Sequence, residues 1–264
     1  MQRQRAIAVL LCSLGLAACG SSQEAPPPHS DSIDFTIDQT NALPMAISVY
    51  AALGAYIPYT AANAMAADGS VNNQLCASGS VGGEMQMNAD GSMGMEMTFQ
   101  QCRLSTPPTS NGYELTVDGR CASTLDADGT RHLEGERVDF SLSTANDPTQ
   151  GFQLGVHNFE LTLKNDQLQS GEAYLHYQDS STEATVHVVA TGFAGTAPTP
   201  SAGTLTIHGQ NSAAKLVINA DGSFDLSLDL DGDGNFETSE ITVNGTSLAS
   251  TGLDWNNYIG SRLP

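Results

Sequence analysis

Along most of this chain, apolar and polar residues alternate with a period of two. Leu115 and Val117 alternate with Glu114, Thr116 and Asp118. Phe159, Leu161 and Leu163 alternate with Glu160, Thr162 and Lys164, and Phe224, Leu226, Leu228 and Leu230 with Asp225, Ser227 and Asp229. One apolar and one polar face is the signature of antiparallel sheet. The tripeptide Ala-Asp-Gly recurs at 67–69, 89–91, 127–129 and 220–222. Asp bonds its local backbone and Gly accepts positive φ, so each copy predicts a turn, three of them between strands. The irregular spacing of the copies excludes a solenoid. From about Val71 to Gly245 the chain therefore reads as strands and turns. Ten or more strands in order predict a mainly β fold: an antiparallel meander curling into a barrel or a strongly bent sheet.

The N-terminal part breaks this pattern. Ile33, Phe35 and Ile37 alternate with acids and Thr36, which predicts a strand. Thr40 or Asn41 can cap a helix, and Pro44 fits its first turn. Leu43, Ile47, Tyr50, Gly54 and Ile57 then recur at helical spacing, predicting a helix over about 41–57 that ends before Pro58. A second helical piece is expected over 60–67. No segment beyond residue 18 reads as apolar enough to span a membrane.

The first residues follow another logic. Arg3 and Arg5 precede an apolar run from Ala6 to Leu16, which ends in Leu16-Ala17-Ala18-Cys19. This is the layout of a secretory signal, and the run is too short for a spanning helix. With Cys at the cut site it resembles a bacterial lipoprotein precursor. The resemblance implies removal of residues 1–18, acylation of Cys19, and a lipid anchor in the cell envelope. Gly20 and Ser21 follow Cys19, and the absence of an acidic residue there favours the outer over the inner membrane by the same resemblance. Residues 19–30, with Pro26, Pro27 and Pro28, read as a stiff tether. Residues 31–264 then form a single β-rich domain. That domain, with its short helix and long meander, resembles uncharacterised bacterial lipoproteins and implies no activity.

Charge narrows the partners. The whole chain has 9 Lys and Arg against 29 acids, a formal net charge of −20. Loss of Arg3 and Arg5 with the signal leaves seven against 29, or −22. Nucleic acid is excluded as a partner, because phosphate binding needs clustered cations. Membrane contact is expected through the lipid alone, and the acidic surface attracts divalent cations.

The most specific motif spans Asp229, Leu230, Asp231, Gly232, Asp233, Gly234, Asn235, Phe236, Glu237, Thr238, Ser239 and Glu240. It resembles the EF-hand calcium loop, with acids at positions 1, 3 and 5, Gly at 6 and Glu at 12. The resemblance implies Ca2+ held by Asp229, Asp231, Asp233, the Asn235 carbonyl, Glu237 and Glu240. The flanks depart from that family, since Phe224–Leu230 and Ile241–Val243 read as strands. The loop over 229–240 is thus expected in a β-hairpin. Unneutralised, its five carboxylates would repel one another.

Cysteine parity adds a cross-link. With residues 88–91 as a hairpin turn, Met85, Met87, Met93, Met95, Met97 and Phe99 share one face, and Cys76 and Cys102 share the other. Pairing Met87 with Met93 sets Cys102 within one step of Cys76, so an oxidising compartment would join them. Cys121 has the parity of Leu115 and Val117 and is expected inside as a thiol. The methionines invite two readings: soft thioether ligands for Cu(I), or replacements for Val and Leu on a buried face. Alternation alone predicts burial. His176, His187 and His208 fall on polar faces, with His187 and His208 as diagonal neighbours that could ligate zinc. His157 has core parity.

No Gly-x-Ser-x-Gly, His-Glu-x-x-His or phosphate loop occurs. The expected role is a non-catalytic structural or binding module stabilised by calcium. The alternatives are a carrier for a lipid or other apolar ligand inside the curled sheet, and a hydrolase of envelope or extracellular polymer.

Overall fold

A computed structural model describes residues 32–64, 70–105, 113–144, 147–165, 167–179, 183–196, 199–238, 240–243 and 246–254. The signal, Cys19 and the tether lie outside the described residues, as does the Ala-Asp-Gly at 67–69.

The helix runs further than its sequence pattern. Helix α1 (Ala42–Ala51) continues through a π-helical turn (Ala52–Tyr56) into α2 (Ile57–Asn63). Pro58 does not end it. The wide π turn moves the preceding carbonyls away from the pyrrolidine ring and does not need the missing N–H. Asp38 sets the start: its Oδ1 accepts bonds from Thr40 N, Thr40 Oγ1 and Asn41 N. Residues 42–63 are long and apolar enough to cross a membrane by length and composition, against the sequence expectation. Most of that segment, however, is buried within the domain.

Ten meander strands follow: β1 (Cys76–Met87), β2 (Met93–Leu104), β3 (Tyr113–Leu125), β4 (Thr130–Thr144), β5 (Asp147–Lys164), β6 (Gln167–Gln178), β7 (Glu183–Thr196), β8 (Thr199–Gly209), β9 (Ser212–Ile218) and β10 (Ser223–Asp229). Each pairs antiparallel with the next. The short β11 (Glu237–Thr238) and β14 (Leu253–Asp254) pair with β10, and β12 (Glu240–Val243) forms a separate hairpin with β13 (Thr246–Ala249). Among the described residues β1 pairs only with β2, so the sheet is open and does not close into a barrel.

A flat ten-stranded sheet would be roughly 45 Å wide. Yet Val81 of β1, Leu228 of β10 and Ile241 of β12 share one buried cluster with Leu43, Val49, Leu53 and Ile57. The sheet must therefore bend around the helix, in the direction its strand twist favours. Tyr50 stacks on Phe193, and Tyr56 meets Phe140.

Three Ala-Asp-Gly copies make one and the same turn. In the last, Asn219 N bonds Ser223 O, Gly222 N bonds Asn219 O, and Asp221 Oδ1 accepts from Ser223 N and Oγ. Gly222 sits at φ 84°, which a side chain would strain. Gly91 and Gly129 repeat this at 87° and 82°.

Several expectations need correction. Residues 32–38 are not a strand. They run extended across the ends of β7, β8 and β9, where Asp34 Oδ1 accepts from Thr185 N, Phe35 O from Gln210 N, and Ser212 Oγ from Ile37 N. Leu230 is exposed, because β10 ends at Asp229. Several bulges invert parity, and two of them overturn a predicted side. Gln101 adopts φ 47° in β2, so Cys102 and Leu104 point into the core after Phe99. Asn158 adopts φ 44° in β5, so Phe159 faces the core and His157 does not.

Candidate metal centre

The acidic motif occupies the turn from β10 to β11. Pairing of Ser227 with Thr238 and of Leu228 with Glu237 makes it a hairpin, as its flanks predict. Gly232 and Gly234 take φ 74° and 87°, which winds the chain back over Asp229. Asp229 is buried, and its Oδ1 and Oδ2 accept bonds from Gly232 N at 2.8 Å and Gly234 N at 2.9 Å. Burial pushes its pKa up, but the N–H groups of Gly234, Gly232, Asp231 and Asp233 outweigh that, and the carboxyl is held below its usual range. Asp233 Oδ1 and Oδ2 likewise receive Asn235 N and Nδ2. A carboxylate has about four lone-pair sites, so each of these groups keeps room for a cation.

Asp229, Asp231 and Asp233 each offer a carboxylate oxygen, and these lie within 4.8 Å of one another. Among the described residues this is the single such group of His, Cys, Asp and Glu, and it can hold a metal ion. Glu237 and Glu240 lie outside it. Glu237 is drawn into β11 opposite Leu228. Glu240 opens the separate β12–β13 hairpin, where its Oε2 accepts a bond from Ser247 Oγ. Asn235 joins through its bonds to Asp233. The core of the motif is thus assembled, and its C-terminal third is used for strand pairing.

The histidines divide differently from their sequence parity. His187 and His208 are directly opposite across β7 and β8, not diagonal, with ring centroids 5.6 Å apart. Tyr174 lies 4.9 Å from the His187 ring, and Glu172 Oε1 is 2.8 Å from His187 Nε2. His208 and Asp229 both pair with Ala213, which puts this row beside the acidic turn. Burial and the neighbouring His187 lower the His208 pKa, partly offset by Asp229. Among the described residues no third ligand completes a zinc centre here.

His176 is buried rather than on a solvated face, with Nδ1 3.1 Å from Thr185 Oγ1. It stacks on the equally buried His157 at 6.2 Å, and Asp139 Oδ1 is 3.6 Å from His157 Nε2. Arg137 and His157 together outweigh the burial of Asp139 and keep its pKa low. Parity reading misses this outer polar cluster because the Asn158 bulge conceals it.

Cys76 and Cys102 form the expected disulfide, with Cα atoms 5.1 Å apart. Cys121 is a buried thiol whose pKa burial pushes up to about 12, so it is inert as a nucleophile. The methionine face is only partly core. Met95 and Met97 are buried, but Met85 is 41% and Met87 77% exposed. The hairpin extends past the rim of the core.

No family model matches the chain, and comparisons with curated proteins and with solved structures find no similar protein.

Proposed function

We propose that this chain is an envelope lipoprotein, anchored to the outer membrane through lipid on Cys19, whose domain is a non-catalytic structural or binding module stabilised by Ca2+. The observation that carries the calcium part is the convergence of Asp229, Asp231 and Asp233 within 4.8 Å on a loop wound by two positive-φ glycines. Hard oxygens in this number suit Ca2+, with the Asn235 carbonyl and water as natural completing ligands. The anchor rests on Arg3, Arg5, the apolar run and Leu16-Ala17-Ala18-Cys19. Contact with the membrane is through the lipid, and the charge of −20 leaves nucleic acid without a docking surface.

The carrier reading draws less support. The helix occupies the concave face, and the gap lined by Tyr50, Gly54, Leu168, Phe193 and Pro200 measures about 10 Å3, while open clefts of about 510 and 540 Å3 are lined by charged side chains such as Glu96, Arg120, Glu134 and Glu172. An apolar ligand site is typically about 300 Å3 or more.

Two experiments test the proposal. Melting temperature should rise with millimolar Ca2+, by about 1.4 kcal/mol of added stability at tenfold excess over Kd. Mg2+ should act less, because it dehydrates reluctantly. Asp231→Ala with Asp233→Ala should abolish the rise; equal melting of both proteins with and without Ca2+ would show an acidic turn that binds nothing. Cys19→Ser should release the protein from membranes, and retention of that variant after a high-salt wash would refute the anchor.

A further inference from the structure

The β1–β2 hairpin contains a donor set that the acidic loop does not use and that the core uses only at Met95. Its register pairs Met85 with Met95 and Met87 with Met93. Directly opposed residues have Cβ atoms about 4.5–5.5 Å apart and share a face of the sheet. All four methionines are therefore on one face, in two adjacent rungs. Two torsions place each sulfur, so side-chain rotation can bring the four thioethers towards one point. The Met95 methyl carbon lies 3.2 Å from where a Cβ on Gly83 would stand, over the neighbouring Met97 rung, so binding turns Met95 outward towards Met85.

Packing accounts for Met95 but not for Met85 and Met87. Met85 and Met87 are two of the three large apolar side chains exposed among the described residues. A half-exposed strand favours Thr, Val or Tyr, and an exposed Met gains little burial energy. The surroundings are equally selective. The next rungs on this face hold Gly83 with Met97, then Val81 with Phe99. None of these offers a carboxylate or imidazole. Glu84 and Glu96 are opposed on the other face, where Arg120 pairs with Glu96, and the buried Arg131 reaches Ser123 beside Met95, so the field at the methionines is mixed and the selection rests on the sulfur donors.

We propose that Met85, Met87, Met93 and Met95 form a binding site for one soft monovalent ion, Cu(I). Thioethers select Cu(I) over Ca2+, Mg2+ and Zn2+, which prefer oxygen, imidazole or thiolate. They carry no proton at any accessible pH, so binding releases none. Cys121 stands behind the site, buried opposite Met97 on β3 and one rung inward of Met95. The ion reaches the methionines from the free side of β1, and the core stays closed.

The test uses the full-length protein in detergent, with Ag(I) in chloride-free nitrate buffer as a redox-stable stand-in. Native mass spectrometry and calorimetric titration should show one Ag(I) per chain. X-ray absorption of the Cu(I) form should show sulfur ligands alone. Met85→Leu with Met87→Leu preserves apolar volume at exposed positions, so it should keep the melting temperature and lose the stoichiometric ion. Cys121→Ser should keep the ion. Wild type that takes up no stoichiometric Ag(I), a double Leu variant that still binds it, or loss of binding on Cys121→Ser would each overturn the proposal. The calcium loop is intact in every variant, so this outcome is independent of the Ca2+ result.

Discussion

The β1–β2 hairpin and the β10–β11 turn sit at the two ends of one meander and are secured by different means. Strand β1 contributes one fully buried side chain, Val81, and the Cys76–Cys102 disulfide ties it to β2. Strand β10 buries Phe224, Leu226 and Leu228 in seven residues and has no cross-link. Its turn is organised by bonds from Gly232 and Gly234 to the Asp229 carboxylate. Where the core grips weakly, the chain uses a covalent tie. Where the core grips well, the turn is left to charge. The side-chain donors divide the same way, into thioether sulfur at one end and carboxylate oxygen at the other.

The contrast can be broken most severely inside the first hairpin. Met97 is fully buried and Met87 is 77% exposed. Met97→Ala should cost about 2–5 kcal/mol. Met87→Ala should stay within about 0.5 kcal/mol. Denaturant midpoints of the two variants measure this, and similar losses would mean that Met87 is packed. Removing the tie comes next. Cys76→Ala with Cys102→Ala opens a loop with a sequence separation of 26 and should cost roughly 3 kcal/mol. Hydrogen exchange should then rise in β1 before any other strand; uniform exchange across the meander would mean that β1 is held by other contacts.

Acid should act on the opposite end and by less. Asp229 and Asp221 have pKa values below the usual range, so their folded states bind protons more weakly than the unfolded chain. Their contribution is complete above about pH 4 and is lost as pH falls through the folded values. His208 is also depressed, so stability should start to fall as pH drops below 6.5. Melting curves from pH 7 to 3 should show both losses, and His208→Gln should remove the first. A flat profile in that variant and wild type alike would mean that His208 protonates freely in the fold.

Alternation made the sheet, its order and three of its turns readable before any coordinates, because period two and Ala-Asp-Gly are local signals. The disulfide was readable as well, although Cys102 points to the face opposite its parity. Parity counting assumes an unbroken ladder, and Gln101 and Asn158 each insert one residue with φ above 40°. Gln101 carries no local mark of a bulge, and Asn158 only the general tolerance of Asn for positive φ. Pro58 misleads for a related reason, since a π turn depends on tertiary packing. At the acidic loop the three Asp positions gather as their spacing suggested, whereas Glu237 and Glu240 lie outside that group, in β11 and β12.

The extended segment before the helix has a consequence for how the chain folds. Meander strands can zip one hairpin at a time, since every partner is the next in sequence. Asp34 must instead wait for Thr185, and Ile37 for Ser212, at separations of 151 and 175 residues. Closing loops of that length is entropically slow. The later turns of the helix can already meet β4 to β6, but its start has no surface to dock on until β8 and β9 emerge, although it is made first. The slowest productive step is then seating of the N-terminal segment on a nearly finished sheet. The species most prone to aggregate is that sheet with its concave face uncovered.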